Sequence, residues 1–260
     1  MANISTVKQL VRLCRDAQVT LFIWGIHGIG KSSVVRQVAE ESGIGFIDFR
    51  CAQIEASDLR GMPDRGSDGR THFLPPADLP ASGEGILFLD ELNRASQDVL
   101  AAAFQLVLDR RVGEYQLPPG WSIVCAGNFS EGDYHVTELD PALRDRFLHV
   151  TLSRGSKTFR EWAVWMSENY PESALEIVDF CGINLQHLEP RIREELGFQI
   201  TPSRRSWEMA ARILQACRAG KYPKRICTEA LAGLVGRSLA VAFSKHHLPV
   251  RPEQLIEDGL

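Results

Sequence analysis

The sequence predicts an α/β fold: a five-stranded parallel sheet flanked by helices, followed by a smaller all-helical domain. Three observations lead there. A β-prone run over residues 19–24 breaks into a glycine-rich loop, and an amphipathic helix begins where that loop ends. Four more short apolar runs follow, at 45–50, 86–91, 121–127 and 148–152, alternating with helical patterns as a parallel sheet with helices on both faces requires. Beyond Ser156 no β-rich run appears, only helical periodicity, so a boundary falls near 153–157 and divides the chain into 1–154 and 155–260.

Along the chain, Ile4, Val7, Leu10, Val11 and Cys14 stand at helical spacing and predict a first helix over 3–17. The glycine loop reads Gly25-x-x-Gly28-x-Gly30-Lys31-Ser32, the G-x-x-x-x-G-K-[ST] pattern between strand and helix. Glycines let the backbone curl until its N–H groups face one point, a nest for anionic oxygens, and the helix N-terminus adds partial positive charge. Lys31 is placed to reach the β- and γ-phosphates of a nucleoside triphosphate, and the Ser32 hydroxyl to hold Mg²⁺. His27, Ile29 and Ser33 complete the phosphate-binding set. Val34, Val35, Val38 and Ala39 mark the buried face of the helix that follows, which Gly43 and Gly45 end.

The stretch 61–85 is rich in Gly, Pro and Asp and too long for an ordinary connection, so it reads as an inserted hairpin with Asp68-Gly69 at its tip. Residues 86–89 are all apolar, as in a central strand buried on both faces. Asp90 and Glu91 stand at its carboxyl end, where open α/β sheets hold their ligands. There Asp90 would hold Mg²⁺ through water and Glu91 would deprotonate the water that attacks the γ-phosphate. Ser96 is a candidate N-cap for a helix to Asp109, and 111–120 reads as a second hairpin. Asn128, at the tip of the fourth strand, can hydrogen-bond phosphate and lytic water; it is equally a routine strand-end turn residue. Asp140-Pro141 reads as an N-cap and first helical residue before Arg144, Asp145 and Arg146.

In the C-terminal part, helices are predicted over 157–169, 172–182, 203–218 and 225–243. Arg204 and Arg205 occupy the first turn of the third, where positive charge opposes the helix dipole; an anion docking there would make dipole and guanidinium act together, and solvated arginines would tolerate the place as well.

Bulk properties set the outer limits. The 260 residues can hold one large domain or two small ones, and 44% hydrophobic with 24% charged residues is ordinary for a soluble globular chain. A net charge of −4 gives no electrostatic reason to expect nucleic acid. The six cysteines include no C-x-x-C pair, so they read as reduced structural thiols of a cytoplasmic protein. There is no signal-peptide core and no apolar stretch near the ~18 residues of a membrane span.

Taken in order, these motifs resemble an AAA+ ATPase, and more narrowly the MoxR-like branch. The residues that carry the resemblance are Gly25–Ser32, Leu89-Asp90-Glu91-Leu92-Asn93-Arg94-Ala95, Ala126-Gly127-Asn128, Leu139 to Phe147, and Thr201-Pro202-Ser203-Arg204-Arg205-Ser206-Trp207. The resemblance implies that Glu91 is the Walker B base and Asn128 is sensor 1. It implies that Arg146, or else Arg144, is an arginine finger acting on a neighbouring subunit's ATP, and that Arg205, or else Arg204, is sensor 2 of a helical lid. Residues 61–74 and 111–120 correspond to inserts that the branch places near a central pore, and Tyr134 and His135 to structural positions. It further implies a hexameric ring and a von Willebrand factor A domain partner whose complex the ring matures or remodels. A nucleic-acid-translocating motor and a slow ATP-gated scaffold are the alternatives, the first resting on Arg60, Arg65, Arg70 and His72 in the first insert.

Overall fold

The computed structural model describes residues 2–129, 139, 144–189 and 200–246. The cap at Asp140-Pro141 and the positions of Tyr134 and His135 lie outside the described residues. By its internal contacts the chain forms two compact units, Met1–Ser153 and Arg154–Leu260.

The first unit runs α1 (Ile4–Ala17), β1 (Leu21–Trp24), α2 (Lys31–Ser42), β2 (Gly45–Arg50), α3 (Ser57–Arg60), β3 (Met62–Arg65) and β4 (Thr71–Leu74). It continues with β5 (Gly85–Asp90), α4 (Gln97–Asp109), β6 (Arg111–Val112), β7 (Tyr115–Gln116), β8 (Trp121–Gly127) and β9 (Leu148–Thr151). Five strands pair in the order β2-β5-β8-β1-β9, every pair parallel. This is the five-stranded parallel sheet that the apolar runs predict. Alternate residues feed the two faces. Phe22, Leu87, Leu89, Ile123 and Cys125 pack against Val99, Ala103 and Leu106 of α4. Leu21, Ile23, Ile86, Phe88, Val124 and Ala126 pack against Val7 and Val11 of α1 and Val34, Val35 and Val38 of α2. Strand β1 lies between β8 and β9, beside the point where the winding of the sheet reverses, so the loops that leave β1 and β8 open a crevice at their carboxyl ends.

Both predicted hairpins are present. β3 and β4 pair antiparallel from Met62↔Leu74 to Arg65↔Thr71, with Gly69 at φ +77° in the turn. β6 and β7 pair through Arg111↔Gln116 and Val112↔Tyr115.

The second unit is helical: α5 (Ser156–Asn169), α6 (Ala174–Ile183), α7 (Arg204–Ala219), α8 (Lys224–Val235) and α9 (Arg237–Lys245). Its core gathers Met166, Ile177, Phe180, Trp207 and Phe243. Ser203 caps α7 in a reciprocal capping box with Ser206. One expectation fails here. The helix predicted over 225–243 is two helices, because Gly236 adopts φ 90°, ψ 148°, a conformation open only to glycine. Its N–H still closes α8 on the Ala232 carbonyl, and its own carbonyl opens α9 by accepting the Ala240 N–H. The break is invisible in sequence because Gly236 sits inside an unbroken helical apolar pattern.

Among the described residues no helix is long and apolar enough to cross a membrane, and no group of His, Cys, Asp and Glu could hold a metal ion unaided. All six cysteines are free.

Gly45 and Gly85 open the space that the Trp121 ring fills between β2 and β5. A Cβ on Gly85 would stand 2.6 Å from that ring and 2.7 Å from the Gly45 carbonyl oxygen. Gly85→Ala is expected to cost about 1–3 kcal/mol by overpacking, read as a lower urea midpoint with unchanged slope.

A candidate nucleotide site at the strand ends

The loop between β1 and α2 has the shape its glycines were expected to give. Gly28 sits at φ 69° and Gly30 at φ 103°, positions that side chains resist, and Gly30 leads directly into α2. Ile29 is buried in the cluster beneath the loop and pins it to the sheet, while His27 and Ser33 face outward. A β-carbon on Gly25 would stand 3.2 Å from the Ile29 side chain, so the first glycine is a close-approach position.

Lys31 turns into this loop. Its side chain is only 7% exposed, and its ammonium donates to the carbonyls of Gly25 (2.8 Å) and Ile26 (3.0 Å) and to Asn128 Oδ1 (2.7 Å). A buried ammonium needs such oxygens. The structure thus brings Lys31 and Asn128 together across β1 and β8, although 97 residues separate them.

Asn128 is itself held by Asn93, to which the sequence alone assigns no role. Asn93 is 1% exposed; its amide donates to the Asn128 carbonyl (2.7 Å) and its Oδ1 accepts the Asn128 N–H (3.2 Å). A Cβ on Gly127 would stand 2.8 Å from that Oδ1, so Gly127 lets the amide approach. The pairing could be found only by knowing that β5 and β8 are neighbours.

Asp90 closes β5. Burial pushes its carboxyl above the usual carboxylate value, with the Lys31 charge opposing the shift and the Glu91 N–H donating to Oδ1 at 2.8 Å. Glu91 follows in the left-handed region, φ 53°, ψ 34°, rare for glutamate and the kind of backbone outlier that gathers at functional sites. Its carboxylate pairs with Arg94 at 3.2 Å. Ser32 stands partly exposed in the first turn of α2. A serine hydroxyl and a carboxylate are hard oxygen donors of the kind Mg²⁺ takes, and the glycine nest fits a phosphate chain, so the residues present suit both groups.

The arginines divide. Arg144, Asp145 and Arg146 are exposed, and the Arg144 carbonyl accepts the Phe147 N–H (3.2 Å) and the His149 ring Nε2–H (2.7 Å). In the helical unit Arg205 is exposed. Arg204 turns inward, 4% exposed, bonded to Glu189 (2.6 Å) and to the carbonyl (3.2 Å) and hydroxyl (2.9 Å) of Thr158. Arg204 is therefore not offered to an anion; its partners lie 15 and 46 residues away in sequence, beyond any local signal.

A raised Asp90 value means that the folded chain keeps a proton which the unfolded chain has released. Stability therefore falls as pH rises through that window, above the usual carboxylate value. Asp90→Asn removes the half-buried charge and keeps the acceptor for the Glu91 N–H. It is expected to raise the thermal midpoint of the nucleotide-free protein at neutral pH and to flatten that pH dependence, as thermal melts across mildly acidic to neutral pH will measure.

The profile of the ATPase family associated with various cellular activities (AAA) matches residues 21–154. The chain is 26% identical over 235 residues to "Denitrification regulatory protein NirQ" of Stutzerimonas stutzeri, covering 86% of this chain and 82% of that one. It is 27% identical over 217 residues to the protein of the same name from Pseudomonas aeruginosa, covering 80% of each. A Thermotoga maritima RuvB mutant shares the fold, with a TM-score of 0.53 at 14% identity over 94% of this chain and 70% of that chain. The match extends from β1 through β9 and takes in the phosphate loop, the acidic strand end and Asn128, and the chain belongs to the AAA family of ATPases.

Proposed function

We propose that this chain is an ATP hydrolase of the MoxR-like branch, assembled as a hexameric ring, whose turnover remodels or matures a partner protein complex. The observation that carries the reading is the contact of Lys31 with Asn128 beside the Asp90-Glu91 strand end. Residues 1–154 act as the nucleotide-binding core and 155–260 as a helical lid.

In this reading the backbone of Gly25, His27, Gly28, Ile29 and Gly30, with Ser32 and Ser33 at the helix start, cradles the phosphates. Lys31 exchanges its loop carbonyls for phosphate oxygens, and Asn128 stays within reach of both lysine and nucleotide. Ser32 and, through water, Asp90 would hold Mg²⁺, which when bound would neutralise charge gathering on the transferred phosphoryl group. Glu91 accepts the proton of the attacking water, once its pair with Arg94 opens. Arg146, on the exposed turn after Arg144, supplies positive charge to the neighbouring subunit's site, with Arg144 the second candidate. Arg205, the outward member of its pair, is the lid arginine.

Two relatives named as regulatory proteins fit a machine that acts on another macromolecule, and a von Willebrand factor A domain protein is the proposed partner. A nucleic-acid motor is less well supported. The first hairpin's Arg65 and Arg70 stand among Asp64 and Asp68, and Asp68 pairs with His72 at 3.1 Å.

Glu91→Gln should lower kcat by on the order of 10²–10⁴-fold while ATP binding is kept. Arg146→Ala should lower kcat by about 10³-fold or more, also with binding kept. Phosphate release and fluorescent-nucleotide titration measure the two quantities. An Arg146→Ala protein that hydrolyses normally would move the finger to Arg144.

A further inference from the structure

We propose that His149 is a positioning residue: it ties the arginine turn of a subunit to the strand that carries the same subunit's phosphate loop. The inference rests on the reading that this turn offers its arginine to a neighbour.

Trp24 is the last residue of β1, and Gly25, the first residue of the loop, follows it directly. The Trp24 indole N–H faces His149 Nδ1 at 2.9 Å. An indole nitrogen only donates, so Nδ1 must accept, and the imidazole proton resides on Nε2. That proton is the one donated to the Arg144 carbonyl at 2.7 Å. The same carbonyl accepts the Phe147 N–H at 3.2 Å, closing a turn with Asp145 and Arg146 as its central residues. Chemistry thus fixes the direction of every bond from strand to turn.

Packing stiffens the bridge. Phe22 stacks on Trp24 at 4.4 Å, Phe147 meets Phe22 edge-on at 5.3 Å, and His149 stacks on Trp24 at 6.0 Å. The Trp24 backbone is bound into the sheet, its carbonyl accepting the Leu152 N–H at 2.8 Å, while Gly25 donates to Gly127 at 3.3 Å. A shift of the loop at Gly25 therefore reaches Trp24, then the imidazole, then the turn. The side chains of Trp24, Arg144, Asp145, Phe147 and His149 border an open cavity of about 520 Å³. An aromatic ring needed only for packing could be phenylalanine at this exposed place. What imidazole adds is one acceptor and one donor on opposite sides.

Two variants separate hydrogen bonding from packing. His149→Phe keeps a ring and removes both bonds, and Trp24→Phe keeps a smaller ring and removes the indole donor while leaving the histidine's bond to the turn. Each should lower kcat on the order of 10- to 100-fold, the size expected when a reacting group is misplaced by about 1 Å, with KM for ATP nearly unchanged. The decisive readout is mixing. His149→Phe subunits keep an intact nucleotide site and lack a well-placed arginine, whereas Glu91→Gln subunits keep the arginine and lack the base. Mixed rings should hydrolyse faster than either protein alone, as should Arg146→Ala mixed with Glu91→Gln. Wild-type rates in both single variants would overturn the inference. So would restoration of Arg146→Ala but not of His149→Phe, which would place the histidine's effect in its own site and leave the ring reading standing. If neither mixture regains activity, the shared-site reading fails and takes this inference with it.

Discussion

A lysine ammonium with almost no access to solvent must find oxygen atoms, and at Lys31 that requirement organises the site. Two acceptors are carbonyls of its own loop, Gly25 and Ile26, so the loop has to curl back over the side chain. Curling is possible because Gly28 and Gly30 take positive φ. The third acceptor is Asn128, just past the end of β8, the parallel neighbour of β1. Asn128 is fixed in turn by the Asn93 amide, from the turn that follows Asp90 and Glu91. Three sequence motifs are thereby joined by one buried charge and one buried amide pair before any phosphate arrives. A site arranged in advance in this way has little left to reorganise when charge develops.

The same region carries costs that folding alone would not select. Asp90 is half-buried, and the Lys31 charge does not fully offset its desolvation, so its carboxyl is pushed up. Glu91 holds a left-handed backbone at the end of an otherwise regular strand. Elsewhere the unit is a well-covered sheet with apolar layers on both faces. A left-handed glutamate directly after a carboxyl raised by burial, both at one strand end, fits a place where chemistry is done. In the proposed mechanism the missing positive charge comes from another copy of the chain, which explains why the arginine turn is exposed while Arg204 is enclosed by Glu189 and Thr158.

Much of this was legible in the sequence. β5 and β8 are covered on both faces and therefore read as continuous apolar runs. The phosphate loop was legible because its glycines answer a backbone need that no other residue meets. α1, α2 and α4 follow from 3.6-residue periodicity, and Ser96 caps α4 as expected, accepting the Val99 N–H. What escaped depends on neighbours distant in sequence. Asn93 looked like one residue of a motif until β8 was placed beside β5. Trp24 and His149 are 125 residues apart, and nothing local marks them as partners. Arg204 and Arg205 are adjacent and chemically identical, so only the packing of Thr158 and Glu189 tells inward from outward. Gly236 was hidden for the opposite reason: its surroundings are so regularly helical that the pattern runs through the break.

In the proposed ring, each nucleotide site is completed by a second copy of the chain. The most direct measurement is the ATPase rate per subunit as protein concentration is varied at saturating ATP and Mg²⁺, with mass measured in the same samples. The specific rate should be near zero for monomers and rise steeply as rings form. A specific rate that stays constant down to concentrations at which only monomers are present would contradict the shared site.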